Sequence, residues 1–373
     1  GVSRKMRPYH AGMLGADTLV VLDESHLVPP FEKLLDQIES GGAAFKPRNR
    51  ADRDVLPSFK LLSLSATGRD RDGIVFRLER NKGDFDDAVV QERLAARKQL
   101  VIERVNDKDK KMAEALADHA WALSNQGGDA VRVLVYCDQR KVAEEVRDEL
   151  TKRAKGDPKI GIPKVEIEEP ELFVGARRGK ERVEAENRLK ELGFLSGSAI
   201  VLEKPVFLIA TSAGEVGVDL DADHMACDLV AWERMVQRLG RVNRLGKGNA
   251  RIILVHGDEP QPKKPETPTQ QETRSLIAWN SLALLSQLPE KTEQGIDVSS
   301  GALRKLKIRA FVKVHRFNDQ TLQAKIDAAI TPPPLYPTLS RALVDAWSMT
   351  SLELHVGRPE VEPWLRGWVE DEP

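Results

Sequence analysis

The feature that most constrains the fold is a series of short, unbroken apolar runs separated by helical patterns. Runs that are apolar rather than alternating are typical of strands covered on both faces, as in parallel sheets. The runs occupy residues 18–23, 59–67, 131–138, 205–212, 227–232 and 250–257. Between them, residues 30–40 and 140–154 place apolar side chains on one face at helical spacing. This alternation predicts α/β units built on parallel sheets.

The length of the chain predicts more than one domain. Its 373 residues exceed what one ordinary core accommodates. Charged residues 69–105 have little strand signal and predict a helical connector, whereas residues 258–275 have the composition of a linker. We therefore expect the rest of a first α/β domain, a second α/β domain, a linker, and a C-terminal accessory domain. Their expected bounds are 1–105, 106–258, 259–275 and 276–373.

Composition excludes several classes of protein. A formal net charge of −1 gives no global basic field, so any nucleic-acid surface must be local. Cys137 and Cys227 are too few for a disulfide framework or a zinc site, and a reducing cytoplasm is expected. We find no signal peptide and no apolar run of about 18 residues, so no membrane partner is expected.

The first apolar run ends in the acidic pair Asp23 and Glu24. Magnesium bound to a nucleotide favours a carboxylate at the end of a parallel strand, where sites of α/β proteins form. Asp23 suits that role, and Glu24 is placed to orient or deprotonate an attacking water. A surface acid pair after a strand has the same pattern, so the pair alone leaves both interpretations open.

Two later strand ends also carry polar side chains. The run at 59–67 ends with hydroxyls at Ser65 and Thr67, which is also the pattern of a simple turn. The strand predicted at 205–212 leads into "TSAGEVGVD", where Gly217 permits close backbone approach and Asp219 offers a carboxylate to a ribose or an arginine. A helix cap followed by a turn is the alternative.

The stretch "MVQRLGRVNRLGKG" (235–248) carries arginines and a lysine but no acid. Its polar residues Gln237, Arg238, Arg241 and Arg244 have helical spacing, which predicts neighbouring positions on one helix. Guanidinium groups are preferred partners of phosphate oxygens. A solvated helix face usually mixes both charge signs, so phosphate binding is the favoured interpretation.

The order of these motifs resembles the DExH-type helicases of superfamily 2. "DESH", "SAT", "TSAGEVGVD" and "QRLGRVNR" match motifs II, III, V and VI of that family. The chain is most similar to the helicase core of the CRISPR-associated helicase–nuclease of type I systems. Its tail "LVDAWSMTS" resembles subtype I-U, now I-G. The resemblance implies two RecA-like domains, the first incomplete, and ATP and Mg²⁺ as cofactors.

The resemblance also implies roles for individual residues. Asp23 would hold Mg²⁺ through water, and Glu24 would activate the attacking water. His26, Ser65 and Thr67 would couple the nucleotide to movement, and Gly217 and Asp219 would lie near the ribose. Gln237, Arg241 and Arg244 would reach the phosphates. Contacts to the nucleic-acid backbone would come from Gly175, Arg177, Arg178, Arg182 and Thr211.

The sequence departs from this family in two places. None of the 22 residues before Asp23 supplies the phosphate-binding pattern G-x-x-x-x-G-K-[ST], so we expect an N-terminally truncated chain that is inactive alone. None of the seven histidines precedes an aspartate, so no nuclease metal site is assigned. The nuclease is expected on a separate chain or outside this segment.

Three interpretations follow. The favoured one is an ATP-dependent single-stranded DNA translocase or helicase of CRISPR interference in the prokaryotic cytoplasm. Its expected partners are single-stranded or unwinding double-stranded DNA, a CRISPR surveillance complex, and a nuclease domain or chain. The second is a superfamily 2 helicase of DNA repair, restriction or RNA metabolism. The third is a non-catalytic scaffold that kept the fold.

Overall fold

The computed structural model places the chain in two compact units. It describes residues 3–42, 44–45, 59–65, 76–106, 111–156, 163–175, 179–215, 217–291, 295–311, 320–349 and 358–367. The first unit comprises Gly1–Arg69 and Pro332–Pro373, and the second comprises Asp70–Thr331. The sequence-based boundaries differ, because they separate the units at residue 105 and keep 276–373 together.

The described regular elements are ten strands and twelve α-helices. The strands are β1 (Leu19–Leu22), β2 (Lys60–Ser63), β3 (Arg97–Arg104), β4 (Arg132–Tyr136), β5 (Glu171–Phe173), β6 (Val206–Ala210), β7 (His224–Asp228), β8 (Asn249–His256), β9 (Glu290–Lys291) and β10 (Gly295–Asp297). The helices are α1 (Arg7–Gly15), α2 (Pro29–Glu39), α3 (Ala88–Leu94), α4 (Met112–Leu123), α5 (Arg140–Lys155), α6 (Gly179–Glu191), α7 (Trp232–Leu239), α8 (Gln270–Leu285), α9 (Ser300–Phe311), α10 (Gln320–Ala329), α11 (Arg341–Ser348) and α12 (Glu362–Arg366).

The first unit contains the parallel pair β1 and β2. Leu19 to Leu22 pair with Lys60 to Ser63, so both strands end at the same edge. Helix α12, from the C-terminal part of the chain, packs against α2. The ring of Trp364 lies edge-on to that of Trp347, with centroids 4.9 Å apart. The C-terminal residues therefore contribute to the packing of this unit.

The second unit is built on an eight-stranded sheet of order β5-β6-β4-β7-β8-β3-β10-β9. The first six strands run parallel, and β10 and β9 each run antiparallel to the preceding strand in that order. This mixed architecture with a mostly parallel sheet confirms the α/β prediction and is consistent with RecA-like helicase domains.

Helices cover both faces of this sheet. Along β4, Leu134 and Tyr136 belong to one apolar cluster, and Val133 and Val135 belong to another. The first cluster includes side chains of α6 to α10, and the second includes side chains of α4 and α5. Coverage on both faces explains why these strands are continuous apolar runs rather than alternating patterns.

The expected connector 69–105 was wrong at its C-terminal end, where residues 97–104 form strand β3 in the sheet. Its sequence, RKQLVIER, has charged ends and a buried Lys98, so it lacks a continuous apolar run. The strand predicted at 227–232 was also misplaced: β7 occupies His224–Asp228, and Trp232 already begins α7.

Helix α8 begins within the expected linker. Thr269 caps its N-terminus by accepting a hydrogen bond from the Glu272 amide, and the Glu272 carboxylate accepts one from the Thr269 amide. This capping box satisfies backbone donors that the first helical turn leaves unpaired. Residues 270–275 are therefore helical, although their polar composition resembles that of a linker.

Candidate nucleotide and nucleic-acid site

Asp23 and Glu24 directly follow β1, at the carboxyl end of the parallel pair. Glu24 adopts a left-handed backbone conformation (φ 49°), and its amide donates a hydrogen bond to Asp23 Oδ1 at 3.0 Å. The Ser25 amide donates to Leu64 O at 3.0 Å, which continues the β1–β2 ladder beyond the strands. The turn therefore holds the acidic pair at the strand edge, where α/β sites form.

The side chains predicted from "DESH" and "SAT" meet in the structure. His26 Nδ1 lies 2.8 Å from Ser65 Oγ and 3.4 Å from Glu24 Oε2. Glu24 Oε2 is shielded from solvent and has no hydrogen-bond partner among the described residues. A buried carboxylate oxygen of this kind favours a bound water or ligand as its partner.

The predicted coupling residue Thr67 lies outside the described residues. The predicted nucleic-acid contacts are only partly described: Arg177 and Arg178 lie outside the described residues, as does the side chain of Arg182. Gly175 follows β5 and has open space around its α-carbon. Thr211 follows the neighbouring β6 and is 7% exposed; its amide donates to Phe173 O at 3.2 Å. The structure thus places Gly175 and Thr211 after adjacent parallel strands.

Asp219 meets the predicted arginines. Its Oδ1 lies 2.9 Å from a terminal nitrogen of Arg244 and 3.5 Å from one of Arg241. The Asp219 side chain is 60% exposed, so the cluster is open to solvent. Gly217, two residues earlier, has φ +79°, a conformation that L side chains rarely adopt. The structure therefore joins the stretch "TSAGEVGVD" (211–219), called the Gly-containing turn below, to the arginines of the stretch 235–248.

The expectation that both arginines lie on one helix was wrong. Helix α7 ends at Leu239, and Gly240 caps it. The Ala222 amide then donates to Arg241 O, and the Asn243 amide donates to Ala222 O, at 3.0 and 2.9 Å. These bonds hold the chain beside residue 222 and prevent continuation of the helix. Gln237 remains in the last helical turn and is 9% exposed.

Arg241 is held by the backbone of the Gly-containing turn. Its Nε and Nη2 donate to Glu215 O at 3.2 and 2.7 Å. The Arg241 side chain is 10% exposed, whereas that of Arg244 is 37% exposed. Arg241 is therefore pre-positioned within the protein, and Arg244 has more access to a ligand.

Residues 129–247 match the family model of the C-terminal part of the CRISPR-associated nuclease/helicase Cas3. The match includes Asp219 and both arginines. The chain resembles the helicase core of Cas3. Residues 129–247 are called the Cas3-like segment below, and the α/β fold in which they lie agrees with the resemblance inferred from the motif order.

Curated relatives extend the similarity to other DNA helicases. The ATP-dependent DNA helicase MPH1 of Coccidioides immitis is 29% identical over 164 residues, which are 42% of this chain and 13% of that protein. The mph1 helicase of Aspergillus fumigatus is 27% identical over 163 residues, again 42% of this chain and 13% of that protein. The chain thus spans a small part of the length of these relatives.

Solved helicase structures align with most of this chain at low sequence identity. T. fusca Cas3 with ATP aligns over 86% of this chain and 41% of that chain, with 16% identity and a TM-score of 0.49. The Mycobacterium smegmatis helicase Lhr bound to ssDNA and AMP-PNP aligns over 88% of this chain and 38% of that chain, with 16% identity and a TM-score of 0.40.

The Cas3-like segment contains a buried charge network that the sequence analysis missed. Glu215 accepts hydrogen bonds from Arg234 at 2.8 and 2.9 Å and from Arg238 Nε at 2.7 Å. Arg238 also donates to Asp228 Oδ1 and O, at 2.8 and 2.9 Å, and Arg234 pairs with Asp138. The only signals in the sequence are an acid inside the Gly-containing turn and arginines in the next helix.

Glu215 and Arg238 shift each other's pKa toward the charged forms. Burial acts to raise the pKa of Glu215, but the field and hydrogen bonds of Arg238 and Arg234 outweigh it, and the pKa lies below its usual value. Burial acts to lower the pKa of Arg238, but the carboxylates of Asp228 and Glu215 raise it above the usual value. The guanidinium of Arg238 also lies 5.0 Å from the ring centroid of Tyr136.

A further buried cation lies at the C-terminal end of α7, called the arginine helix below because it carries Arg234 and Arg238. Lys98 of β3 is 2% exposed, and its ammonium donates to Leu239 O at 2.8 Å. Burial lowers the pKa of Lys98 to about 8, although Asp221 acts in the opposite direction. This lysine also lies outside the predicted site, because the sequence pattern predicts a connector at its position rather than a strand.

The depressed pKa of Lys98 predicts a pH dependence of stability. The pKa of Lys98 is about 8 in the folded protein and 10.5 in the unfolded chain. Between these two pH values the unfolded chain therefore binds more protons than the folded protein. The free energy of unfolding should therefore rise, relative to Lys98→Met, by about 2 kcal/mol between pH 7.5 and 10. Urea denaturation of both proteins at each pH measures this difference. A difference that is constant or falls with pH would contradict the prediction.

Among the described residues, no helix is both long and apolar enough to cross a membrane. The described part of the chain also has no group of three or more His, Cys, Asp and Glu side chains suited to holding a metal ion. Asp23 can still hold a magnesium ion through water, because it is exposed at the strand edge. Such a site would draw its oxygens from water and phosphate.

Proposed function

We propose that this chain is the motor segment of an ATP-dependent single-stranded DNA translocase or helicase of CRISPR interference. The observation that carries the proposal is the meeting of Asp219 with Arg241 and Arg244 within the Cas3-like segment. An acid and two arginines after a parallel strand suit the ribose and phosphates of a nucleotide. Similarity to Cas3 and to MPH1 DNA helicases supports the same class of activity.

The acidic pair of the first unit supplies the proposed chemistry. Asp23 would hold Mg²⁺ through water, and Mg²⁺ when bound neutralises charge on the phosphates. Glu24 would accept a proton from the attacking water while the new phosphorus–oxygen bond forms and the bond to ADP breaks. Its Oε2 is shielded from solvent and accepts no hydrogen bond from the described residues, although His26 Nδ1 lies 3.4 Å away, and this supports that role. His26 contacts both Glu24 and Ser65, so it would couple ATP hydrolysis at Glu24 to movement of the segment that follows β2.

The second unit would bind phosphate and DNA. Arg241 and Arg244 would stabilise the charge that develops on the transferred phosphoryl group, and Gln237 would lie beside them. Gly175, Thr211 and the basic residues 177, 178 and 182 would contact the backbone of the DNA strand. A CRISPR surveillance complex and a nuclease domain or chain would be the partners of the complete machine.

A substitution at Glu24 tests the proposed ATPase. The test needs a polypeptide that joins this chain to a phosphate-binding loop, since residues 1–22 contain none. Glu24→Gln should lower ATP turnover by about 10²–10⁴-fold, because the amide cannot take a proton. Binding of a fluorescent ATP analogue should stay within about threefold, because size and hydrogen bonding change little. Phosphate release measures turnover, and Glu360→Gln at an exposed position is the matched control.

The result also separates the alternatives. Unchanged turnover in Glu24→Gln would refute its role as the base. DNA binding by a parent protein that never hydrolyses ATP would support the non-catalytic scaffold instead. A helicase of repair, restriction or RNA metabolism would hydrolyse ATP but bind no CRISPR surveillance complex. The similarity to MPH1 DNA helicases fits a helicase outside CRISPR interference, without naming its pathway. A pull-down with a purified surveillance complex distinguishes that case.

A further inference from the structure

Residues 240–248, called the arginine loop here, lie against elements that the sequence analysis had placed in the connector. Gly246 has φ +82°, and a β-carbon there would lie 2.4 Å from Glu92 O of α3. Any larger residue at this position would therefore push the loop away from α3. Strand β3, which follows α3, makes two directed hydrogen bonds to the same region.

The first of these bonds ends the arginine helix. In a continuing helix, Leu239 O would accept a hydrogen bond from the amide four residues later. That amide belongs to Asn243, and it donates to Ala222 O instead. Leu239 O accepts a hydrogen bond from the ammonium of Lys98 instead, at 2.8 Å. A cation also suits this place because a helix C-terminus carries partial negative charge.

The second bond holds the loop from its other side. The side-chain amide of Asn243 donates to Arg97 O at 3.1 Å and to Gly248 O at 2.7 Å, and its oxygen accepts from the Gly248 amide at 3.0 Å. Asn243 is 8% exposed and has φ 41°, which asparagine tolerates better than most residues. Arg241 therefore lies between Leu239 and Asn243, and each of these is hydrogen-bonded to one of the first two residues of β3.

The chemistry of Lys98 argues for a directed role. A buried ammonium costs free energy, as its lowered pKa indicates, whereas methionine fills a similar volume without that cost. The groups that act on it electrostatically are Asp221 and Arg244. Asp221 also accepts a hydrogen bond from the Arg244 amide at 2.8 Å, so Lys98 lies beside the backbone that presents this arginine.

We propose that Lys98, together with Asn243, is a positioning residue that holds Arg241 and Arg244 in the orientation that faces Asp219. The inference rests on the proposed function, since that function gives the two arginines their task. Lys98 acts through the end of α7 and the arginine loop rather than by touching a nucleotide. Its removal should loosen the loop while the sheet and the buried network stay intact.

Amide hydrogen exchange of the 373-residue chain tests this proposal without ATP turnover. In Lys98→Met, the amides of 240–244 should exchange about tenfold faster, because a hydrogen bond to a charged group is lost at their attachment point. Exchange in β4 and β6 should be unchanged. Lys141→Met, at a side chain that is 84% exposed, is the matched control and should change neither.

Nuclear magnetic resonance of arginine side chains provides the second readout. Nε–H of Arg241 donates to Glu215 O, and Nε–H of Arg238 donates to Glu215 Oε1. Lys98→Met should shift or broaden the Arg241 signal and leave the Arg238 signal in place. A change of both signals, or faster exchange throughout the sheet, would show a role in general stability and overturn the proposal, as would no change in the loop.

A second variant keeps the test decisive if Lys98→Met does not fold. Asn243→Asp keeps a residue that tolerates positive φ but removes both side-chain donors. It should give the same local increase in exchange at 240–244, and normal exchange there would refute the proposal. Local loosening in a protein whose Arg241→Ala variant keeps full ATP turnover would preserve the positioning role and refute the proposed function.

Discussion

Arg241→Ala is expected to lower ATP turnover by about 10³–10⁵-fold in a polypeptide that joins this chain to a phosphate-binding loop. The guanidinium is already held by Glu215 O and faces Asp219, so it needs little reorganisation to meet a phosphoryl group. Alanine removes both the charge and the planar donors. DNA-stimulated phosphate release measures the effect.

Two further variants define the cause of this loss. Arg241→Lys keeps a positive charge but lacks the planar fork that donates twice to Glu215 O, so it should remain strongly impaired. Arg251→Ala, at an exposed arginine of β8, is the matched control and should keep turnover within about twofold. Full activity in Arg241→Ala would refute the assignment of this arginine to the phosphates.

Arg238→Met is expected to lower the free energy of unfolding of the second unit by about 3–5 kcal/mol. The Arg238 side chain is fully buried between Glu215 and Asp228. Methionine occupies similar space but leaves two buried carboxylates with fewer donors, and that loss dominates. Urea denaturation followed by circular dichroism of the 373-residue chain measures the change.

An exposed arginine gives the control for this experiment. Arg140→Met removes an ion pair with Glu144 whose side chains are 66% and 42% exposed, so its effect should stay below about 1 kcal/mol. In addition, Glu215→Gln and Arg238→Met should be non-additive, because each disrupts the same network. An effect of Arg238→Met as small as that of Arg140→Met would show that the network contributes little to stability.

The charge network around Glu215 and the buried Lys98 stabilise the position of α7 in the same way. Both place charge where apolar side chains would cost less to bury, and both attach the arginine helix to other elements. Glu215 joins the Gly-containing turn to α7, while Lys98 joins the end of α7 to β3. Directed bonds of this kind fix a single arrangement of the arginines, whereas apolar packing tolerates small rotations of a helix.

Several features could be predicted from the sequence because they depend on local pattern. The runs at 131–138 and 250–257 proved to be β4 and β8, since strands buried on both faces must be apolar throughout. The order of the four motifs predicted the resemblance that the Cas3-like family model confirms over residues 129–247. Sequence also placed Asp23 and Glu24 at a strand end.

Only the tertiary structure decided how distant residues meet. Strand β3 was not predicted from the sequence. Its place in the sheet depends on pairing with β8 and on the hydrogen bond from Lys98 to Leu239 O, and neither interaction produces a recognisable pattern in the local sequence. Arg241 and Arg244 leave the helix because Ala222, which lies before α7 in the chain, forms hydrogen bonds with the backbone of residues 241 and 243. Local spacing predicts the helix, but long-range hydrogen bonds end it and turn both arginines toward Asp219.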